Sequence, residues 1–210
     1  MIAIGEQAPR SATDFFVLNL CRARADAILT SAGNLRSEPG LVHSLAGPLA
    51  GELGSYRDHV LKKVAPPVVA ILTRSGELPL EHPVWSDGTT KLVLTSPEAR
   101  AGLVKALGSR AAEVVAFDEL DARVAAAWLG ARGLSLVSIE AGPRTTGSLY
   151  RAPAVVQELL LSLYEAPAEV KLGGALPDDA ALFATRTLAS DTVRLEESGA
   201  WRFQRWLRDP

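Results

Sequence analysis

Four apolar runs, each giving way to small or hydroxyl residues or a turn, constrain this chain more than anything else in it. They are "AILT" at 27–30, "VVAIL" at 68–72, "KLVLT" at 91–95 and "LSLVSI" at 134–139. Runs this short and this continuous suit strands covered on both faces, as in a parallel sheet. Between and around them the apolar spacing turns helical. Residues 12–25 carry Phe15, Phe16, Leu18 and Cys21 or Ala25 at helical intervals, with Thr13 or Asp14 as N-cap. Residues 39–54, rich in Gly, Pro, Ser and Ala, read as a surface excursion with one short helix at 44–53. Residues 55–64 predict a short amphipathic helix with Tyr56, Val60, Leu61 and Val64 on one side, stopped by Pro66 and Pro67.

Ser96, Pro97 and Glu98 open another helix: a cap, a residue suited to the first helical position, and an acid at the positive end. A strand is expected at Glu113–Phe117. A helix is expected at 119–131, with Leu120, Val124, Ala127, Trp128 and Leu129 apolar and Gly133 as its stop. One more is expected at 152–158, near Pro153. The last third alternates with period two. It places Val193 and Leu195 with Trp201 and Phe203 on one side, around a Ser198-Gly199 turn. The prediction is an α/β fold: a mixed, mostly parallel sheet flanked by helices, with a C-terminal antiparallel hairpin added at an edge. At 210 residues the chain suits one sizeable core, residues 1–210 as a single domain.

Composition removes several functions. The net charge of -2 comes from interspersed acids and bases, so no basic face for nucleic acid is expected. No run approaches the roughly 18 apolar residues of a membrane span, and no targeting segment is visible, so the default compartment is a reducing cytoplasm. One cysteine excludes an internal disulfide. Cys21 reads as a half-buried core thiol rather than a nucleophile, because no histidine lies near it in sequence. His43, His59 and His82 are isolated and lack metal-ligand spacing, so no metal is expected.

Candidate binding residues lie where strands give way to helices: "TSAGNLRSE" (30–38), "TSPEA" (95–99) and "EAGPRTTGS" (140–148). The C-terminal ends of parallel strands share one edge, where helix N-termini favour anionic ligands. Three such loops suggest an extended anion, such as a nucleotide with a pyrophosphate. Each has a plainer reading as well. Gly33 serves a turn with positive φ or a phosphate contact; Ser96 is a helix cap or a ligand; Arg144 is a solvated arginine or a phosphate clamp. The G-x-G-x-x-G fingerprint is absent.

The same blocks resemble a family. "ADAILTSAGNLRSEPG", "VAILTRSGELPLEHPVW", "KLVLTSPEA", "LVSIEAGPRTTGSLY" and "VQELLLSLYEAPAEVKLGGALP" are similar, in order and over nearly the whole chain, to segments of the bacterial riboflavin-biosynthesis reductases. The resemblance implies a dihydrofolate-reductase-like fold, NADPH as hydride donor, reduction of a ribosylamino-pyrimidine, and a homodimer. It sets Thr30, Ser31, Ala32, Gly33, Asn34, Thr95, Ser96, Ala141, Gly142, Pro143, Arg144 and Thr145 against NADPH. Glu140 becomes the polar candidate for catalysis, or a carboxylate that orders the loop, with Arg36 and Glu38 toward the substrate.

The chain also departs from the family. Met1 to Gly5 resembles the segment just after the family's first strand, so that strand is expected to be missing. Either a partner subunit or the 39–66 excursion is then expected to cover the exposed sheet position. Asn34 replaces a threonine, Ala141 replaces a glycine, and an arginine early in the first helix aligns near Phe15. The expectations are therefore an NADPH-dependent pyrimidine reductase or a non-catalytic member keeping the fold as a nucleotide-binding or assembly module. A true dihydrofolate reductase is the weaker third, for want of its substrate-binding acid.

Overall fold

The structure, a computed structural model, describes residues 8–111, 113–150, 153, 155–165 and 182–209. The chain divides into two compact units, Leu18–Thr145 on one hand and Met1–Val17 with Thr146–Pro210 on the other. Met1 to Gly5 and residues 166–181 of the last resemblance block lie outside the described residues.

The first unit is built on a five-stranded sheet. Its strands are β1 (Ala27–Ser31), β2 (Val68–Thr73), β3 (Lys91–Thr95), β4 (Glu113–Ala116) and β5 (Val137–Ile139). They lie in the order β4-β3-β2-β1-β5, every pair parallel. β1 and β3 are buried along their whole length, and β2 from its second residue on, as their unbroken apolar runs require. Val69 and Ile71 pack with Leu35 and Val84, while Val93 packs with Leu103 and Leu107.

The helices are α1 (Ala12–Arg24), α2 (Ala32–Ser37), α3 (Ala50–Ser55), α4 (Pro97–Leu107), α5 (Ala122–Ala131) and α6 (Pro143–Tyr150). α5 starts on Asp121, whose carboxylate accepts the Val124 amide at 2.8 Å. α1 has its expected bounds but not its expected cap or face. Ser11 is the cap, its hydroxyl accepting the Asp14 amide at 2.9 Å. Asn19, Arg22 and Ala23 are the buried side chains, whereas Phe15 and Phe16 are exposed. Paired polar groups outweigh the aromatic pattern because buried carbonyls and a carboxylate need their donors.

The 39–66 excursion also differs from expectation. Instead of helices at 44–53 and 55–64, α3 runs straight into a π-helical turn at Tyr56–Val60. Val60 and Val64 face solvent, and Arg57 is buried in their place. The Arg57 guanidinium donates to the carbonyls of Ala23 (2.8 Å), Ala25 (2.6 Å) and Ala65 (2.9 Å). It thereby caps the last carbonyls of α1, which no residue further along that helix can reach. The earlier part is anchored as well. Leu41 packs on the core, the Ala46 amide donates to Asn19 Oδ1 at 2.9 Å, and the His43 amide donates to Asp87 Oδ2 at 3.2 Å. Polar contacts to buried groups, invisible in the composition, hold a segment whose glycines and serines suggested a loose surface loop.

The second unit holds β6 (Glu158–Tyr164), β7 (Arg186–Glu196) and β8 (Gly199–Arg208). The expected hairpin of β7 and β8 is present, but it does not extend the parallel sheet. With β6 it makes a separate antiparallel sheet, ordered β6-β8-β7. Val193 lies opposite Arg202 and Arg194 opposite Trp201, so Val193 and Leu195 share the face opposite that of Trp201 and Phe203. The expected shared face fails because the turn sets a register one residue away from it.

Replacing Arg57 with alanine would strand three carbonyls. Arg57→Ala is expected to lower stability by about 3 kcal/mol, as is Arg57→Met, which keeps the stem but not the donors. Urea unfolding followed by circular dichroism measures both.

Candidate functional site

Parallel registration brings the exits of the strands to one edge. Ser31 is level with Leu72, Thr73 with Thr95, and Leu29 with Ile139. Residues 31–34, 95–96 and 140–145 therefore come after strand ends that finish side by side. β3 stands two strand spacings, about 10 Å, from β1.

After β1 the chain enters α2 at once. Ser31 is its N-cap, with its hydroxyl accepting the Asn34 amide at 3.2 Å. Ala32 and Gly33 are helical; Gly33 is not among the glycines with positive φ, so of its two readings the left-handed turn does not form. A serine cap achieves the same change of direction without it. The Asn34 side chain then crosses to the next exit. Its Nδ2 donates to the Glu140 carbonyl at 3.0 Å, and its Oδ1 accepts the Gly142 amide at 3.2 Å. One amide thus joins the loops that follow β1 and β5.

After β5 the chain also becomes helical earlier than expected. α6 begins at Pro143, so Arg144, Thr145, Thr146 and Ser148 belong to a helix, not a loop, and Thr146 is buried. Pro143 explains the start, since its fixed φ suits a first helical position. The helix expected at 152–158 is not seen in the described residues; 155–157 are irregular and Glu158 begins β6. Gly142 gives its N–H to Asn34 and Pro143 has none, so neither residue offers a backbone donor to a phosphate. Arg144 is exposed on the first turn, with Ala141 and Thr145 half-buried beside it.

At the third exit Ser96 is the N-cap of α4 by backbone geometry, yet its side chain makes no capping bond. It hydrogen-bonds Glu98 instead and so lowers that carboxyl's pKa. The hydroxyls of Thr95 and Thr30 are buried at their strand ends without hydrogen-bond partners.

The Glu140 carboxylate turns inward from this edge. Arg22 holds it through Nη2 at 2.7 Å and Nε at 3.0 Å, and Arg22 Nη1 reaches the Ser44 carbonyl at 3.4 Å. His43 is fully buried, and neither ring nitrogen has a hydrogen-bond partner. Its Nε2 stands 4.0 Å from Glu140 Oε2. This is not an ion pair, because burial, and then the charge of Arg22, push the His43 pKa down to about 4 and keep the ring neutral. Behind it lies a buried pair, Lys91 Nζ to Asp87 Oδ1 at 2.6 Å. Burial pushes the Asp87 carboxyl up, but hydrogen bonds from Lys91 and Thr89 outweigh that and leave its pKa lowered. Glu38 is half-buried and its pKa is raised, first by burial and then by the charge of Glu140. Arg36 points elsewhere: it is exposed and donates to the Glu77 carbonyl at 2.7 Å.

The structure therefore brings Ser31, Asn34, Glu140 and Gly142 together, keeps Glu38 within electrostatic reach, and leaves Arg36 outside. Sequence reasoning missed Arg22, His43, Asp87 and Lys91. The available signal was the pair Asn19 and Arg22, three apart and therefore on one side of α1. Among the described residues, no cluster of three or more His, Cys, Asp or Glu could hold a metal, and no helix is long and apolar enough to cross a membrane.

A parallel α/β sheet with its candidate site along the strand exits, followed by an antiparallel three-stranded sheet, is a dihydrofolate-reductase-like arrangement. Residues 4–175 match the RibD C-terminal domain, and the chain belongs to that family. Among solved structures it is similar to a pyrimidine reductase-like protein from Corynebacterium diphtheriae, at 22% identity and a TM-score of 0.70, covering 100% of this chain and 87% of that one. It is also similar to RibD of Acinetobacter baumannii, at 18% identity and a TM-score of 0.65, covering 99% of this chain and 53% of that one. A third similar structure is a diaminohydroxyphosphoribosylaminopyrimidine deaminase/5-amino-6-(5-phosphoribosylamino)uracil reductase from Thermotoga maritima, at 16% identity and a TM-score of 0.60. That match covers 94% of this chain and 49% of the Thermotoga protein, so the chain spans about half the length of it and of the Acinetobacter RibD. No curated protein sequence matches the chain.

Two tests bear on the buried cluster. His43 binds a proton near its usual 6.5 when unfolded but only at about 4 when folded. Between those values the unfolded state holds more protons, so stability present above pH 6.5 falls toward pH 4, by up to about 3 kcal/mol. His43→Leu is expected to flatten that slope, as read from urea midpoints between pH 7.5 and 4.5. Arg22→Met should cost about 4 kcal/mol by leaving the Glu140 carboxylate buried and unpaired. Arg22→Met with Glu140→Leu should restore more than about 2 kcal/mol in the same assay.

Proposed function

We propose that this chain is a reductase that takes a hydride from NADPH and delivers it to a pyrimidine-type heterocycle of the 5-amino-6-(5-phosphoribosylamino)uracil class. The observation that carries this reading is the alignment of three strand exits on one edge, two of them joined by Asn34. Family membership supports it, and the reductase named for the Thermotoga relative supplies the substrate class.

The residues present fit such a coenzyme. Exposed Arg144 and half-buried Thr145, on the first turn of α6, offer a cation and a hydroxyl to a phosphate at the positive end of an eight-residue helix. The exits after β1 and β3 lie far enough apart for an extended dinucleotide. When bound, NADPH supplies the hydride. The protein's part is to hold donor and acceptor at reacting distance and to exclude water. In this reading Glu140 acts through Arg22: its carboxylate fixes the end of β5, and its carbonyl receives Asn34.

The engagement of Glu140 by Arg22 also favours a second reading, a non-catalytic member that retains a nucleotide site. Titrating the protein into NADPH and following nicotinamide fluorescence separates the possibilities. Saturable binding in about the micromolar to millimolar range is expected. Gly142→Trp, placed against Asn34, should weaken it at least about tenfold, or about 1.4 kcal/mol. Absence of wild-type binding at millimolar NADPH would overturn the proposal. Binding without oxidation of NADPH in the presence of the aminouracil substrate would leave the second reading.

A further inference from the structure

Asn34 stands where the backbone of a strand would. β1 ends at Ser31 and turns into α2, and the Glu140 amide, just past β5, still donates to the Leu29 carbonyl at 2.9 Å. In a parallel pair the next groups facing the same neighbour are the carbonyl of that residue and the amide two positions on. Here they are Glu140 C=O and Gly142 N–H, and one side chain meets both. Asn34 Nδ2 donates to the carbonyl at 3.0 Å, and Asn34 Oδ1 accepts the amide at 3.2 Å. A primary amide carries the donor and acceptor of a peptide group, so it completes the pattern that β1 leaves unfinished.

A carbonyl and an amide presented together are selective. An anion would satisfy the Gly142 amide but face the Glu140 carbonyl oxygen without a proton to offer it. A group with neighbouring N–H and C=O satisfies both. The carboxamide of a nicotinamide has that edge, and so do the ring N–H and C=O of a uracil. The place is also accessible to a ligand. Asn34 and Gly142 are half-buried, Gly33 beside Asn34 is exposed, and a Cβ built on Gly142 would touch Asn34 Oδ1 at 3.7 Å.

We propose that the Glu140 carbonyl and the Gly142 amide form a two-point site for the amide edge of a ligand, and that Asn34 is its built-in competitor. This role rests on the binding of coenzyme and heterocycle at this edge, as proposed above. Asn34 is tethered beside the site, so its amide has an effective concentration that a small unlinked amide does not reach. A larger ligand, anchored elsewhere along the edge, displaces it at a cost in affinity. Asn34 thereby sets how tightly this chain holds whichever molecule brings the amide.

Saturation-transfer NMR on the full chain tests the site with two probes, nicotinamide and uracil. Neither should bind the wild type at about 1 mM, where the tethered Asn34 outcompetes it. Asn34→Ala should bind at least one of them at that concentration, and the tighter binder identifies the source of the edge. Asn34→Leu, which fills the place without polar atoms, should bind neither. If nicotinamide is the occupant, Asn34→Ala should also hold NADPH about tenfold tighter than the wild type; if uracil, the same gain belongs to the aminouracil. An Asn34→Ala protein with an unchanged circular dichroism spectrum that binds neither probe would overturn the proposal, as would a wild type that binds them equally well. The wild type gives a second measure that needs no substitution. The side-chain amide signals of Asn34 in nitrogen-15 spectra should shift when NADPH or the aminouracil saturates the protein, and signals that stay in place would also overturn it. A wild type that binds neither large ligand ends the reductase reading instead, while probe binding by Asn34→Ala still decides the two-point site.

Discussion

The ion pair between Arg22 and Glu140 carries more of this structure than its size suggests. β5 has three residues and, among the described residues, a single neighbouring strand, so little of its own pairing fixes where it ends. Arg22 supplies that fixity from α1, and through the Ser44 carbonyl it holds the 39–49 segment as well. Two charges taken out of water gain little net energy from each other, but the loss of either is costly. Such a pair therefore works as a locator. It determines which way the Glu140 backbone faces, and that backbone receives Asn34.

From that point outward the edge of the sheet is organised by ordinary hydrogen bonds. Ser31 caps α2, α2 delivers Asn34, and Asn34 holds the start of α6. Where relatives are expected to use a threonine, an asparagine has both a donor and an acceptor to spend, and it spends them on two backbone groups of the neighbouring loop. Preorganisation of this kind lowers the entropy lost when a flexible ligand is captured. It also moves polar capacity from the ligand to the scaffold, since the Gly142 amide is no longer free to meet a phosphate.

Much of the fold was legible in the residues. Ala27 to Leu29, Val68 to Leu72 and Leu92 to Leu94 are strands because continuous apolar runs have nowhere else to go. Pro97 and Gly133 marked helix ends through backbone sterics that act locally. What stayed hidden depended on partners distant in sequence. Arg22 and Arg57 look like surface arginines until the carboxylate and carbonyls they reach are placed beside them. His43 looked isolated because the burial and the charges of Arg22 and Lys91 that keep it neutral come from residues distant in sequence. The side of the C-terminal sheet on which Val193 falls depended on a register that alternation alone does not set. The candidate loops were found in the right places, since strand exits are punctuated by small residues. Their conformations were not, because a serine cap and a proline at a first helical position replaced the open loops that glycines suggested.

The π-helical turn at Tyr56–Val60 bears on how this segment can change over time. A π turn holds one residue more than the α turn it interrupts, and each residue advances a helix by about 100°. Losing any single residue there would restore regular pitch while swinging Arg57 a quarter-turn or more from the carbonyls of Ala23 and Ala25. Insertions and deletions, which loops ordinarily absorb, are thus confined in this stretch to events that keep the guanidinium's bearing. The segment's length is inherited with its arginine.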